Sequence, residues 1–241
     1  MTSMMLHCGA SEVTRAQVEA VPIPTPTRTW HPLAYGQSIS FLHDQAERVL
    51  GLKVANERYG LNQDGKQMFA LLTLDTGSDE TALALGLRNS YNKTLKNCCA
   101  GGQSVFVCDN LCISGSSFMV MRKNTKNVWR DFRNMITAQI RGALKNYEQV
   151  QRDTARMKAT PCHEQRGYSI LGVAVGNGLL TPTQASVAFG DWRKPRHEAF
   201  AERNLWSLYN AVTEGLKKGS AARMLDRHAA AHDFFSERLA S

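Results

Sequence analysis

The spacing of apolar residues switches period along the chain, and each switch marks a different kind of element. Between Gln37 and Leu50, the residues Ile39, Leu42, Ala46 and Val49/Leu50 recur every three to four positions. That period predicts an amphipathic helix, with Ser38 or Ser40 available as its cap. Short runs rich in apolar and β-branched residues follow: Val54–Leu61, Gln67–Leu74, Ala82–Leu87, Ser104–Cys108 and Ser117–Arg122. Turn signals separate them, at Asn62–Gly65, Thr76–Ser78, Ala100–Gly102 and Ser114–Gly115. Asp64-Gly65 is the strongest hairpin signal. Val105, Phe106 and Val107 beside Cys108 read as a strand covered on both faces.

From Lys126 to Lys158 the helical period returns, predicting one continuous amphipathic helix. Val128, Phe132, Met135/Ile136, Ile140, Ala143/Leu144, Tyr147 and Val150 share one arc at about 100° per residue. Arg130, Arg133, Arg141, Lys145, Arg152 and Arg156 share the opposite arc. Pro161 lies just beyond. Four shorter helices are expected after it: His163–Val175 stopped by Gly176–Gly178, one opened by Thr181-Pro182, Glu198–Lys218, and Ala221–Leu239. The expected class is therefore α+β: a mostly antiparallel sheet of four to five strands packed on a long basic helix, with a C-terminal helical region. Residues 1–29, with the alternating prolines of Val21–Thr27, read as a loosely ordered lead-in; 30–160 form the core and 161–241 the helical region.

Charge changes this picture more than composition does. The net charge of the 241 residues is +8, but residues 1–121 carry −1, residues 122–158 carry +7 and residues 159–241 carry +2. A localised basic stripe points to an anionic partner better than the same charge spread evenly. On the stripe's own helix, Trp129 and Tyr147 offer rings for base stacking, although the spacing sets Trp129 inward beside Phe132. No apolar run approaches the roughly 18 residues of a membrane span, and Met1–Ala10 lacks a basic region followed by a long apolar one. A cytoplasmic location in the host cell is the expectation. Cys8, Cys98, Cys99, Cys108, Cys112 and Cys162 form no secreted-type framework and read as reduced, mostly buried thiols.

Catalytic signatures are missing: no phosphate-binding GxxxxGK[ST], no GxSxG, no HExxH and no GxGxxG after a strand. No catalytic residue, cofactor or structural metal is assigned. His228 and His232 stand four apart on a predicted helix, near Asp226 and Asp233, and read as part of a solvated face rather than a metal site. Two polar clusters, Leu87–Lys93 and Val105–Asn110, end predicted strands. Arg88, Asn89, Asn92 and Asn110 are expected to line one polar groove beside the basic helix, joined by Arg122 and Lys123. Turn capping by the same Asn and Asp side chains is the structural alternative.

The segments Thr25–Trp30, Gly86–Lys93, Gly102–Leu111, Arg122–Thr125 and Trp206–Lys217, in this order, resemble a phage and plasmid family known as domain of unknown function nine-three-two. The resemblance covers roughly residues 25–218. This chain departs from it at Tyr91-Asn92, where the family usually has His-Asp, and at Asn124, where it often has histidine. Those departures weigh against hydrolase chemistry here. The mobile-element setting of the family implies work on DNA or interference with host defence. The inferred order of helix, antiparallel strands and basic helix is similar to that of single-strand-annealing proteins of the Rad-fifty-two type, an analogy of fold alone. The expectation is a nucleic-acid-binding protein, with single-stranded DNA as a candidate substrate. The alternative is a protein-binding inhibitor of a host defence system, with a cryptic nuclease or other enzyme third. A DNA mimic is disfavoured by the basic charge.

Overall fold

The computed structural model describes residues 10–77, 81–105, 110–112, 119–219 and 223–239. Among them, seven strands form one antiparallel sheet: β1 (Ala10–Val13), β2 (Val54–Asn62), β3 (Gln67–Leu74), β4 (Thr81–Ser90), β5 (Asn97–Val105), β6 (Asn110–Cys112) and β7 (Met119–Arg122). The first five lie in sequence order, and the last rank is shared. β6 pairs with Gln103–Val105 and β7 with Asn97–Ala100, both on the same edge of β5. The α+β class and the antiparallel sheet agree with the sequence pattern, but the strand count is higher than four or five.

β1 and β6 lie where no strand was expected, and two features of the sheet depart from the sequence pattern. The first is β1, followed by a short helix α1 (Arg15–Glu19), in the segment expected to be loose. Thr14 and Gln17 close a capping box on α1, and Val18 is 1% exposed, so hydrogen bonds and burial order this stretch. The second is β5, which runs straight through Ala100–Gly102, where the glycines predicted a turn. Gly101 and Gln103 lie on the same face of the strand, and Gln103 Nε2 donates to Thr154 Oγ1 at 3.2 Å on the helix that crosses it. Glycine inside a strand here accompanies close packing rather than a reversal. The Asn62–Gly65 hairpin forms as predicted: Gly65 has φ +67°, its N–H donates to Asn62 O, and Asn62 Oδ1 accepts from Gln67 N. Val105 ends β5; Phe106, Val107 and Cys108 lie outside the described residues.

One face of β4 (Leu83, Leu85, Leu87) packs in the main core with Ile39 and Leu42 of α2 (Tyr35–Gln45). α2 is not capped by Ser38 or Ser40; Ala34 precedes it, and Ser38 sits inside, its hydroxyl donating to Ala34 O at 3.1 Å. A π-helical turn, Ala46–Leu50, extends α2 to Gly51. The predicted single basic helix is two helices, α3 (Val128–Gln139) and α4 (Arg141–Ala159). Ala143 N donates to Ile140 O, three residues back, which tightens the chain at Ile140, and Gly142 lies within that turn.

α4 belongs to two cores. Tyr147 packs in the sheet core, whereas Val150 and Met157 pack in the helical one with Leu171, Trp192, Leu208 and Phe235. The boundary expected at residue 160 therefore falls after the helical core has begun. Its other members are α5 (Glu164–Gly176), α6 (Pro182–Arg193), α7 (Leu205–Leu216) and α8 (Met224–Glu237). Thr181 caps α6 as predicted. The helix expected from Glu198 begins later, at Leu205, because Asn204 Oδ1 accepts from Ser207 N at 2.9 Å and starts the turn there; Glu198–Phe200 is a separate short turn.

Candidate nucleic-acid interface

The break at Ile140 does not scatter the basic residues. Arg130, Arg133, Arg141, Lys145, Arg152 and Arg156 are all exposed, while Phe132, Ile136, Ile140 and Tyr147 on the opposite side are at most 5% exposed. Sheet packing decides this: the apolar arc is buried against β4, β5 and α2, so the charged arc must face water. Tyr147 is thus no stacking platform; its hydroxyl donates to Thr81 O at 3.2 Å. Trp129 is half-buried edge-on to Phe41, with the Arg133 guanidinium 5.8 Å from its ring centre.

The six cations differ in how firmly they are held. Arg130 contacts Asp131, which also takes Arg122 at 2.5 Å. Arg152 donates to Gln149 Oε1, one turn back. Arg156 donates to Leu239 O at 3.0 Å, so it ties α4 to the end of α8 while remaining half exposed. Arg141 and Lys145 meet no carboxylate among the described residues.

Of the groove expected from Arg88, Asn89, Asn92 and Asn110, the described side chains are turned to other partners, and the Asn110 side chain lies outside what is described. Arg88 and Asn89 are 8% and 1% exposed. Asn89 Nδ2 donates to Leu33 O at 2.6 Å, and Arg88 lies beside Met121. Asn92 caps its own turn, its Oδ1 accepting from Thr94 N and Thr94 Oγ1. Asn110 pairs with Val105, whereas Arg88 pairs with Cys98. Those β5 positions are seven residues apart, about 23 Å at roughly 3.3 Å per residue. Among the described residues the two polar clusters share no hydrogen bond, and an antiparallel neighbour carries its far end away from the first strand's tip; Phe106–Asp109 lie outside the described residues.

A different site forms where the expected groove fails. Thr29, Trp30, Lys93, Thr94, Leu95, Lys96, Lys123, Asn124 and Thr125 enclose a pocket of about 450 Å³. Three lysines and no carboxylate line it. Lys93 has a left-handed backbone, φ +65°, the one non-glycine residue so placed among those described, and holds its ammonium 5.1 Å from the centre of the Trp30 ring. An exposed contact of this kind is worth about 0.5–1 kcal/mol. Trp30 Nε1 is buried without a hydrogen-bond partner among the described residues. The pocket wall is fixed from behind: Asn97 Nδ2 donates to Asn124 Oδ1 at 2.8 Å, Asn124 Nδ2 contacts Ser90 O, and Ser90 Oγ donates to Leu95 O. Val128 N donates to Thr125 O, so the pocket abuts the start of α3.

Of the residues nominated from sequence, only Lys123 lies in this pocket; Trp30, Lys93 and Lys96 were missed. A signal was present, because three of the resembling segments end at Trp30, Lys93 and Thr125, and all three converge here. Tyr91 and Asn124, two positions where the chain differs from the family it resembles, are both buried supports of this region.

His228 and His232 are not on a solvated face. They are 1% and 4% exposed because α8 packs its inner side on α7 and α4, with the His232 ring edge-on to Tyr209. Asp153 Oδ2 stands 3.6 Å from His232 Nε2, and Ser236 Oγ is 3.3 Å from Nδ1. Burial pushes the His232 pKa below its ordinary value despite Asp153. No group of three potential metal ligands occurs among the described residues. Cys98, Cys99 and Cys162 are buried free thiols; burial raises Cys98 to about 11 and lifts Cys99 well above the ordinary thiol value. No helix is long and apolar enough to cross a membrane among the described residues. The chain matches no family model, no curated protein and no solved structure.

Proposed function

We propose that this chain is a nucleic-acid-binding protein of a phage or mobile element, gripping the phosphate backbone along α3 and α4. The observation that carries the reading is the exposed row from Arg130 to Arg156 on a segment of net charge +7. The resemblance to a phage and plasmid family supports the setting. Lysine and arginine contacts to phosphates give affinity without reading sequence. Arg133, Arg141 and Lys145, which meet no carboxylate among the described residues, would contribute most, since Arg130 shares Asp131 with Arg122.

Titration of the protein with duplex and single-stranded DNA and RNA over a salt series tests this. Four phosphate contacts on duplex DNA give a log–log slope of about −3.6, or roughly a 150-fold loss of affinity between about 50 and 200 mM salt. Binding that ignores salt, or no binding at low salt, would refute the reading. A stable complex with a host defence protein in the absence of nucleic acid would favour the inhibitor alternative.

A further inference from the structure

We infer that the pocket of Trp30, Lys93, Lys96 and Lys123 seats one unpaired nucleotide, its base on the Trp30 ring and its phosphate among the lysines. The inference rests on the nucleic-acid-binding reading and gives it a preference for single strands.

The chemistry of the lining supports an anionic, ring-bearing ligand. The charged side chains are all lysines, and the remaining polar ones are Thr29, Thr94, Asn124 and Thr125. Trp30 Nε1 is buried with no hydrogen-bond partner among the described residues, and its indole is the ring that the pocket offers to a ligand. Lys93 keeps a backbone conformation that L-residues rarely adopt, and such a position persists only where its surroundings hold it. Here the Asn92 turn and the Ser90–Leu95 hydrogen bonds hold the loop, so that Lys93 lies over the ring. A base face exceeds an exposed ammonium as a stacking partner for tryptophan. An arriving base would displace the Lys93 head group, which then stands beside the phosphate that the base brings.

Size and position set the preference for an unpaired base. The pocket encloses about 450 Å³, and a paired base has both faces covered by its neighbours in the stack. Thr125 lines the pocket and accepts the N–H of Val128 at the start of α3, so a strand leaving along that helix would reach Arg130 and Arg133. The α3–α4 row would accept either duplex or single strand, whereas the pocket would accept only the latter.

Three variants separate this inference from the reading beneath it: Trp30→Ala, Trp30→Phe, and the triple Arg141→Gln, Lys145→Gln, Arg152→Gln. Each is checked for folding by circular dichroism. Each is then titrated with oligothymidylate, oligouridylate, thymidine monophosphate and a hairpin duplex. Trp30→Ala should weaken binding of both single strands by at least about fivefold, in line with loss of one stacked base. Duplex affinity should stay within about twofold, and Trp30→Phe should retain most single-strand affinity. Wild-type single-strand binding by Trp30→Ala overturns the pocket and leaves the backbone grip standing. Equal loss of duplex and single-strand binding also overturns it. If the triple variant binds like the parent while Trp30→Ala does not, the pocket stands and the α3–α4 grip falls. A parent that binds neither strand form at low salt overturns both. Monophosphate binding that Trp30→Ala abolishes, without any effect on oligomers, assigns the pocket to free nucleotides and overturns its role in strand binding.

Discussion

Tyr35 and Tyr91 stack face to face, with ring centres 3.8 Å apart and planes 5° from parallel, and the Tyr91 hydroxyl accepts the backbone N–H of Tyr35 at 3.2 Å. That N–H opens α2, whose preceding residue, Ala34, offers no capping side chain. A tyrosine fifty-six residues away thus does the work of a cap. Asn89 holds Leu33 O from the same strand end, so the tip of β4 fixes both the entry to α2 and the wall of the lysine pocket.

This pairing makes Tyr91→Phe informative. The ring and its stacking survive, but a buried N–H loses its acceptor, which costs about 1–3 kcal/mol. Tyr91→Leu loses the aromatic pair as well, a further 0.5–1.5 kcal/mol or so. Denaturant unfolding should rank the parent above Tyr91→Phe and Tyr91→Phe above Tyr91→Leu. Equal midpoints for parent and Tyr91→Phe would show that water or another group serves the amide.

Gly167 sets two effects against each other. Alanine in a helix is favoured over glycine by about 1 kcal/mol. A Cβ at 167, however, would stand 2.4 Å from Trp192 Nε1 and 2.5 Å from its Cε2. Trp192 is 1% exposed, and Arg203 covers its ring at 4.5 Å, so it has little room to retreat. Overpacking of this kind costs about 1–3 kcal/mol and should prevail. Gly167→Ala should lower the Tm by a few degrees, at about 2–4 °C per kcal/mol for a chain of this size. A raised Tm would mean that α5 and α6 slide apart freely.

His232 should make stability depend on pH. Burial lowers its folded pKa, with Asp153 and Asp233 opposing, so the unfolded chain takes up the proton first as pH falls. Its contribution is fully present above the ordinary histidine value of 6.5 and is lost on acidification below it. The decline is at most about 1.4 kcal/mol per pH unit. Urea midpoints measured from neutral pH down towards pH 5 should fall, and His232→Gln should flatten that slope. Parallel slopes in parent and variant would assign the effect to other groups.

What the sequence made legible follows from which signals are local. Helical period and cap chemistry found α4's buried arc, the Thr181 start of α6 and the Asp64-Gly65 hairpin, because each is decided within a few residues. β1 and β5 were misread because their pairing partners lie far away: Ala10 pairs with Asn62, and Gly101 with Leu85. The polar strand end Arg88–Asn92 looked like a groove because sequence shows polarity without showing what satisfies it. Leu33 O, Thr94 and the Tyr35 amide supply those partners. Conversely, the lysine pocket assembles from residues 29–30, 93–96 and 123–125, and its aromatic ring and its lysines come from segments far apart in sequence, so no single stretch shows them together.

The basic row remains the sharpest test of function. Replacing Arg141, Lys145 and Arg152 together by Gln removes three exposed cations. Glutamine keeps nearly the same helix propensity. Among the described residues, Arg141 and Lys145 meet no carboxylate and Arg152 bonds to Gln149 on its own helix. Exposed contacts of this kind contribute about 0–1 kcal/mol, so the variant should unfold close to the parent. Binding should change far more. Each phosphate contact to a duplex contributes roughly 0.9 log units of affinity at about 0.1 M salt, so losing three could cost several hundredfold. A loss of at least tenfold, with a salt slope shallower by about 2.7, is the expected result. Weaker binding with an unchanged slope would point to a loss of shape rather than of phosphate contacts. Unchanged affinity would mean that the row is a solvated face, and a protein partner would become the better reading of this surface.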